Sequence, residues 1–515
     1  MNLIRNFLCA GSLLFVISLI TATGLLISCN RQSKIPEDPQ RPNVIVILAD
    51  DLGYGDVGAY GATEIRTPSI DRLAREGIRF TNGYASSATC TPSRYALLTG
   101  TYPWRNREAR ILPGTAALII DTALMTLPKM FREKGYHTGI VGKWHLGLGT
   151  GQVDWNHHIS PGPNEVGFEY AFIMAATQDR VPTVYIENGR VARLDPEDPI
   201  EVSYTRNFPG EPTGLENPEL LKLKWDHGHN QSIVNGIPRI GYMKGGEAAR
   251  WVDENMADTF LVHAQAFIRG NKDKPFFLYY ALQQPHVPRT PHPRFAGRTK
   301  LGPRGDVIEE ADWCIGQLIG TLEEEGLSEN TLVILSSDNG PVLNDGYVDG
   351  ALEMNGDHTP AGPLRGGKYS LFEGGTRVPF ITWWKGHIEP GISDAVVSQV
   401  DLLSSLASLV GSSAQGPDSK DLMEVLLGHH GRGRQELVLE ASGRTALRQG
   451  KWKLIPPYQG PAILNNVNIE SGNNPQYQLY DLYNDPGERD NLSVTEEDTL
   501  NELISAYELL RGIAP

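Results

Sequence analysis

Cysteine is scarce: four residues in a chain of 515, at positions 9, 29, 90 and 314. A small exported domain held by disulfides needs many more, so no disulfide framework supports this fold. Basic residues are in deficit, 46 Lys and Arg against 61 Asp and Glu, for a net charge of −15. That removes the global basic footprint of a nucleic-acid binder. Any anion must be held by a local cluster of Arg, Lys, His or metal. Long apolar runs are missing beyond the N-terminus, which excludes a multi-span membrane protein. No repeat of fixed period is present. The remaining balance, 40% hydrophobic and 21% charged, is that of an ordinary globular protein and excludes wholesale disorder.

The N-terminus stands apart from the fold. Arg5 precedes an apolar run from Phe7 to Ile27, and Leu26-Ile27-Ser28-Cys29 follows. A positive start, an apolar core and small residues at its end read as an export signal over residues 1–28. The ending resembles a bacterial lipobox, which would leave Cys29 as a lipidated first residue. A signal anchor or a transmembrane helix is the alternative. Residues 29–42 read as a tether. The expectation is an exported bacterial lipoprotein, periplasmic or on the cell surface, touching the membrane only through its anchor at Cys29.

The body reads as α/β. Asn43 to Ala49 is a continuous apolar run, as in a strand buried on both faces. Helix, glycine, strand then recurs: Ser69–Glu76, Gly77, Ile78–Phe80; Thr126–Lys134, Gly135, Tyr136–Val141; Asp306–Glu325, Gly326, Thr331–Ser337. Pro275 to Leu282 is another buried run. The pattern predicts a large, mostly parallel or mixed sheet sandwiched by helices over residues 43–411. Residues 151–250 lose the pattern and read as an insertion shaping a substrate pocket. Val396 to Val410 reads as the last helix of that domain. Residues 412–515 read as a small α+β subdomain, with strands at Glu436–Glu440, Thr445–Leu454 and Gln478–Leu482 and a helix at Glu496–Leu510.

Two apolar strands end in oxygen ligands, Asp50-Asp51 and Asp338-Asn339. Ligands of open parallel sheets bind beyond the carboxyl ends of strands. An oxygen-only set suits Ca²⁺, with Mg²⁺ also possible. Cys90 precedes Pro92, which suits the first turn of a helix. It reads as a buried small residue or as a thiolate activated by the helix end. Soft sulfur beside a hard oxygen site is a mismatch. His227-Gly228-His229, near Asp226, reads as loop, with a metal or substrate contact as the alternative.

The stretch Cys90-Thr-Pro92-Ser93-Arg94-Tyr-Ala-Leu-Leu98-Thr99-Gly100 resembles the signature of the type I sulfatases, of the alkaline phosphatase-like superfamily, at every fixed position. The resemblance implies that Cys90 is oxidised to formylglycine by a maturation enzyme. A hydrated aldehyde offers oxygen to the cation. One of its hydroxyls attacks sulfur, and the other lets the sulfated intermediate collapse. It further implies Asp50, Asp51, Asp338, Asn339 and the modified Cys90 as metal site, and Arg94 as the group stabilising formylglycine. Lys143 and His145 then contact the nucleophile, with His145 taking the proton of the gem-diol as the sulfated intermediate collapses. Lys368 binds sulfate, and His286 with Lys368 serves the leaving alcohol. The function implied is hydrolysis of a sulfate ester on a carbohydrate. Segment 225–246 resembles sulfatases acting on galactose or N-acetylgalactosamine sulfates, as in glycosaminoglycan or mucin-type glycans. The rivals are a phosphate mono- or diester hydrolase of the same superfamily and a non-catalytic glycan-binding lipoprotein.

Overall fold

A computed structural model gives the fold of residues 41–429 and 431–513. The expected export signal and Cys29 lie outside the described residues, as does the tether up to residue 40. No helix among the described residues is long and apolar enough to cross a membrane.

Asn43–Asp50 forms strand β1, buried along its whole length. Its side chains alternate between two cores. Val44, Val46 and Leu48 join one cluster, and Ile45, Ile47 and Ala49 join the other. This period of two is why the run is apolar throughout instead of alternating with polar residues. In chain order there follow α1 (Pro68–Glu76), β2 (Ile78–Tyr84), α2 (Cys90–Thr99), α3 (Leu127–Glu133), β3 (His137–Lys143) and β4 (Tyr170–Met174). Short strands β5 (Tyr185–Glu187) and β6 (Arg190–Val191) lead into the insertion. Beyond it come α4 (Met256–Gly270), β7 (Phe276–Pro285), α5 (Gly302–Glu324), β8 (Thr331–Ser337), β9 (Phe380–Trp383), β10 (Gly391–Ser398) and α6 (Leu402–Leu409). The sheet order is β10-β2-β9-β8-β1-β7-β3-β4-β5-β6. β8, β1, β7, β3 and β4 are mutually parallel, and β9 and β5 run against their neighbours. Helices α1, α4 and α5 cover one face, and α2, α3 and α6 the other.

The tail forms β11 (Glu436–Ala441), β12 (Arg444–Gln449), β13 (Trp452–Ile455), β14 (Gln478–Asp481) and α7 (Glu497–Arg511). The four strands make an antiparallel sheet against which α7 packs Leu503 and Tyr507. Both sheets and the flanking helices realise the expected α/β class with a smaller antiparallel sheet.

Three readings of the sequence are corrected. Residues 151–250 are not an insertion throughout: β4, β5 and β6 lie among them and extend the main sheet from β3, short strands defined by pairing with neighbours and not by a local apolar pattern. Val396 to Ser398 do not begin a helix; they end β10, where Val396 and Val397 pair with Asn82 and Gly83 of β2. The backbone of β2, distant in sequence, supplies partners that a local apolar pattern does not announce, and α6 starts only at Leu402. Thr445 to Leu454 is not one strand but the hairpin β12–β13, in which Gln449 faces Trp452 across a two-residue turn. Gly450 there has φ of 57°, the left-handed conformation such turns require.

The loop after β7 is held from behind by α5. Glu310, 2% exposed, accepts the Gln284 side-chain amide at 3.3 Å and the His292 N–H at 3.1 Å. Burial pushes its carboxyl up to about 7, so the folded protein keeps a proton that the unfolded chain loses near 4.5. The stability this group contributes is fully present below about pH 4.5 and is lost as pH rises to about 7. Urea unfolding of Glu310→Gln across that window is expected to show a flatter pH profile than the parent. Parallel profiles would refute the assignment.

Candidate active site

β1 and β8 are adjacent and in register, with Ala49 opposite Ser337, so their acidic ends emerge side by side. The Asp338 N–H donates to the Ala49 carbonyl at 3.0 Å, and the Asp51 N–H donates to Asp338 Oδ1 at 3.2 Å. Asp50, Asp51, Asp338 and Asn339 are all buried. Asp51 takes a left-handed φ of 68°, which turns its carboxylate out of the strand line. Burial pushes the Asp50 carboxyl up to about 8, against the pull of Lys143 and with the repulsion of Asp338 and Asp51 added. The protein's own groups leave negative charge here short of compensation.

Cations arrive from three directions. Lys143 ends β3, and its Nζ sits 2.7 Å from both oxygens of Asp50. Arg94, one turn along α2 from Cys90, donates to Asp338 Oδ2 from Nε at 3.0 Å and from Nη2 at 2.8 Å. Lys368 Nζ lies 2.8 Å from Asp51 Oδ2 and 2.8 Å from Asp345 Oδ2. Burial acts to neutralise Lys368, but Asp345 and Asp51 outweigh it and hold the ammonium charged. Asp345 was not singled out from the sequence, where it is one acid in a polar loop.

Cys90 opens α2, a helix buried on every side. Its all-round burial explains why the segment shows no amphipathic stripe. Burial pushes the Cys90 thiol far up despite Lys143 and Lys368 nearby, so it is a neutral thiol and a poor nucleophile as it stands. One ligand atom each of Asp50, Asp51, Cys90 and His286 lie within 4.8 Å of one another. Asn339 Oδ1 is buried and has no hydrogen-bond partner, while its amide donates to Asp51 Oδ1 at 2.7 Å. An orphaned oxygen among crowded carboxylates fits a hard cation, which Asp50, Asp51, Asp338 and Asn339 would hold.

The two histidines have assignable tautomers. His145, at φ 54° just past β3, has Nε2 3.0 Å from the Leu112 carbonyl, and Nδ1 has no partner. Nε2 therefore carries the hydrogen, and Nδ1 offers a bare lone pair. His286 Nδ1 lies 2.7 Å from the Val287 carbonyl, so its lone pair is on Nε2, 3.9 Å from Asp51 Oδ2. Burial, reinforced by Lys143, depresses both rings well below the usual imidazole range, and both are neutral.

The sequence-predicted residues Asp50, Asp51, Cys90, Arg94, Lys143, His145, His286, Asp338, Asn339 and Lys368 all converge on this place. A second cluster lies beside it, of which the sequence pointed only to His229, as loop or as a metal or substrate contact. Asp179 pairs with Arg180 at 2.9 Å and with His229 Nε2 at 2.8 Å. Arg180 feels Cys90, and Asp179 feels His286. His229, read as loop, is thus buried beside the site. It packs where Gly346, at φ 105°, leaves no room for a Cβ. Only its partner across the insertion reveals this, and no spacing rule connects residues 179 and 229.

Arg94 and Asp338 form a fully buried ion pair. Arg94→Met is expected to lower the unfolding free energy of chelator-treated protein by about 3–5 kcal/mol, because Asp338 is left uncompensated. Calcium is expected to recover part of that loss in urea titrations. Equal losses with and without calcium would contradict the cation site.

The comparisons agree with this geometry. The family model described as Sulfatase matches residues 42–412. An N-acetylgalactosamine-6-O-sulfatase of Bacteroides thetaiotaomicron is 49% identical over 503 residues, covering 96% of this chain and 98% of that protein. Human arylsulfatase A is 33% identical, over 91% of this chain and 87% of its own. A solved structure described under the metabolism of multiple glycosaminoglycans by Bacteroides thetaiotaomicron superposes with a TM-score of 0.91 at 50% identity, covering 92% of this chain and 100% of that one. On the strength of these matches and of an architecture in which acidic strand ends meet Cys90 and three buried cations, the chain belongs to the sulfatase family.

Proposed function

We propose that the protein hydrolyses the sulfate ester of a galactose- or N-acetylgalactosamine-containing glycan, with Cys90 matured to formylglycine and one Ca²⁺ at the strand ends. The carrying observation is the gathering of Asp50, Asp51, Cys90 and His286 within 4.8 Å, ringed by Lys143, Lys368 and Arg94. Among the described residues this is the only such group of metal-ligating side chains, which favours a one-metal hydrolase over a two-metal phosphatase. The sugar assignment draws on the N-acetylgalactosamine-6-O-sulfatase that covers nearly the whole chain.

Calcium, when bound, supplies positive charge for the sulfuryl oxygens. Formylglycine supplies a hydrated aldehyde whose two hydroxyls serve as nucleophile and as exit. The protein's own groups do the rest. Lys143 and Lys368 present ammonium groups to the sulfuryl oxygens in a site with almost no water, where charge acts strongly. Arg94 holds Asp338 in place. His145 Nδ1 is the acceptor for the proton that the hydrated residue 90 gives up as sulfate is expelled. At the leaving oxygen, Lys368 donates a hydrogen bond, and His286 Nε2 relays to the departing alcohol the proton released by the attacking hydroxyl. Asp179, Arg180 and His229 form a polar wall that receives sugar hydroxyls.

Outside the cytoplasm, the lipidated Cys29 tethers the enzyme to a membrane. Cys29→Ser is expected to move the protein from the membrane fraction to the soluble one. An unchanged distribution would refute the anchor.

Turnover on a panel of sulfated mono- and disaccharides, an aryl sulfate and an aryl phosphate tests the reaction. Sulfated galactose or N-acetylgalactosamine should be preferred, residue 90 of the active protein should carry an aldehyde by peptide mass, and Cys90→Ala should abolish turnover. Preference for the phosphate, or full activity with an unmodified thiol, would overturn the mechanism. Glycan binding without turnover in the matured protein would favour the non-catalytic reading.

A further inference from the structure

The two groups that must face each other across the sulfuryl group, residue 90 and Lys368, come from separate parts of the chain. One foreign element touches the residues flanking both, ahead of residue 90 and just after Lys368. We propose that the β11–β12 hairpin of the C-terminal sheet is a template for the reaction centre, with Arg444 and Glu440 as positioning residues that set Lys368 against residue 90.

Three contacts carry this. First, the segment preceding α2 pairs with β11 like an added strand. The Ala88 N–H donates to the Glu440 carbonyl at 2.8 Å, and the Glu440 N–H donates to the Ser86 carbonyl at 3.2 Å. The Glu440 carboxylate also accepts the Ser87 hydroxyl. Ser87 in turn is locked to α2, its carbonyl accepting Ser93 Oγ at 2.8 Å and its N–H donating back to that oxygen at 3.0 Å.

Second, Ala88 is shared. While its N–H is held by Glu440, its carbonyl accepts the Tyr369 N–H at 2.8 Å. One residue thus spans the distance between the hairpin and the residue after Lys368.

Third, Tyr369 has φ of 73°. A tyrosine keeps that left-handed conformation only where its surroundings over-determine it. Its hydroxyl donates to Asp345 Oδ1 at 3.2 Å, and its carbonyl accepts Arg444 Nη2 at 3.0 Å. Arg444 is itself fixed, donating from Nε to the Ala441 carbonyl at 3.1 Å and from Nη1 to Asn473 Oδ1. Its planar fork reaches several acceptors at once, which a flexible ammonium does not reproduce. Arg444 touches neither cation site nor sulfuryl group. It acts on the turn that aims the Lys368 side chain between Asp51 and Asp345.

The inference rests on Lys368 binding the sulfuryl oxygens, and the experiment separates the two claims. Steady-state kinetics are measured on the wild type, Lys368→Ala, Arg444→Met, Arg444→Lys and the double variant Lys368→Ala/Arg444→Met. Rates are expressed per aldehyde-bearing site, with melting temperature recorded for each. Small misplacements of a binding group cost up to about 100-fold, so Arg444→Met is expected to lower kcat by roughly 10- to 100-fold. Because Arg444 acts through Lys368, the same change in the Lys368→Ala background is expected to cost less than about 3-fold. Arg444→Lys should recover part of the loss, and it carries the same cycle if Arg444→Met does not fold. Wild-type turnover in Lys368→Ala would overturn the role of Lys368 and the template with it. Impaired Lys368→Ala with unimpaired Arg444→Met would overturn the template alone. So would equal losses from Arg444→Met in both backgrounds, the signature of a merely structural residue.

Discussion

Like charge packed into low dielectric is the constraint around which this molecule is built. Asp50, Asp51 and Asp338 sit at the tips of two neighbouring strands, each essentially without solvent. Three carboxylates in such a place do not all stay ionised by themselves, and burial pushes Asp50 up to about 8. Arg94, Lys143 and Lys368 each answer one of them at 2.7 to 2.8 Å. What remains is an orphaned amide oxygen among crowded carboxylate oxygens, the chemistry of a divalent-cation site.

The same electrostatics define the substrate. Lys143 and Lys368 are tied to carboxylates and stand beside Cys90. In the proposed reaction a sulfate ester would exchange those pairs for its own oxygens, with the lysines already held in place by the scaffold. The insertion then adds the Asp179, Arg180 and His229 wall, and the C-terminal sheet braces the segments that carry residue 90 and Lys368. Chemistry is thus fixed by the parallel strands, while the surrounding loops present what distinguishes one sulfated glycan from another.

The sequence was legible where one element answers to one local rule. β8 matches its expected span of Thr331–Ser337, and α1, α3 and α5 lie within a few residues of theirs. Cys90–Gly100, the two acidic strand ends and the lysine and histidine motifs all fall in the site. The failures share a cause. Val396 and Val397 are strand because they pair with β2, and His229 is a site neighbour because Asp179 lies across the insertion. Each depends on a partner far away in sequence, which periodicity does not encode.

Strand ends, helix caps and the residue types of the centre are local properties, written in apolar runs, glycine stops and acidic tips, and the sequence by itself determined them. Which ion pairs form, which nitrogen of His145 and His286 carries a hydrogen, and how Lys368 is aimed at residue 90 were decided only by the tertiary structure. Burial sets proton occupancy and dielectric, and burial exists only once distant segments have packed together.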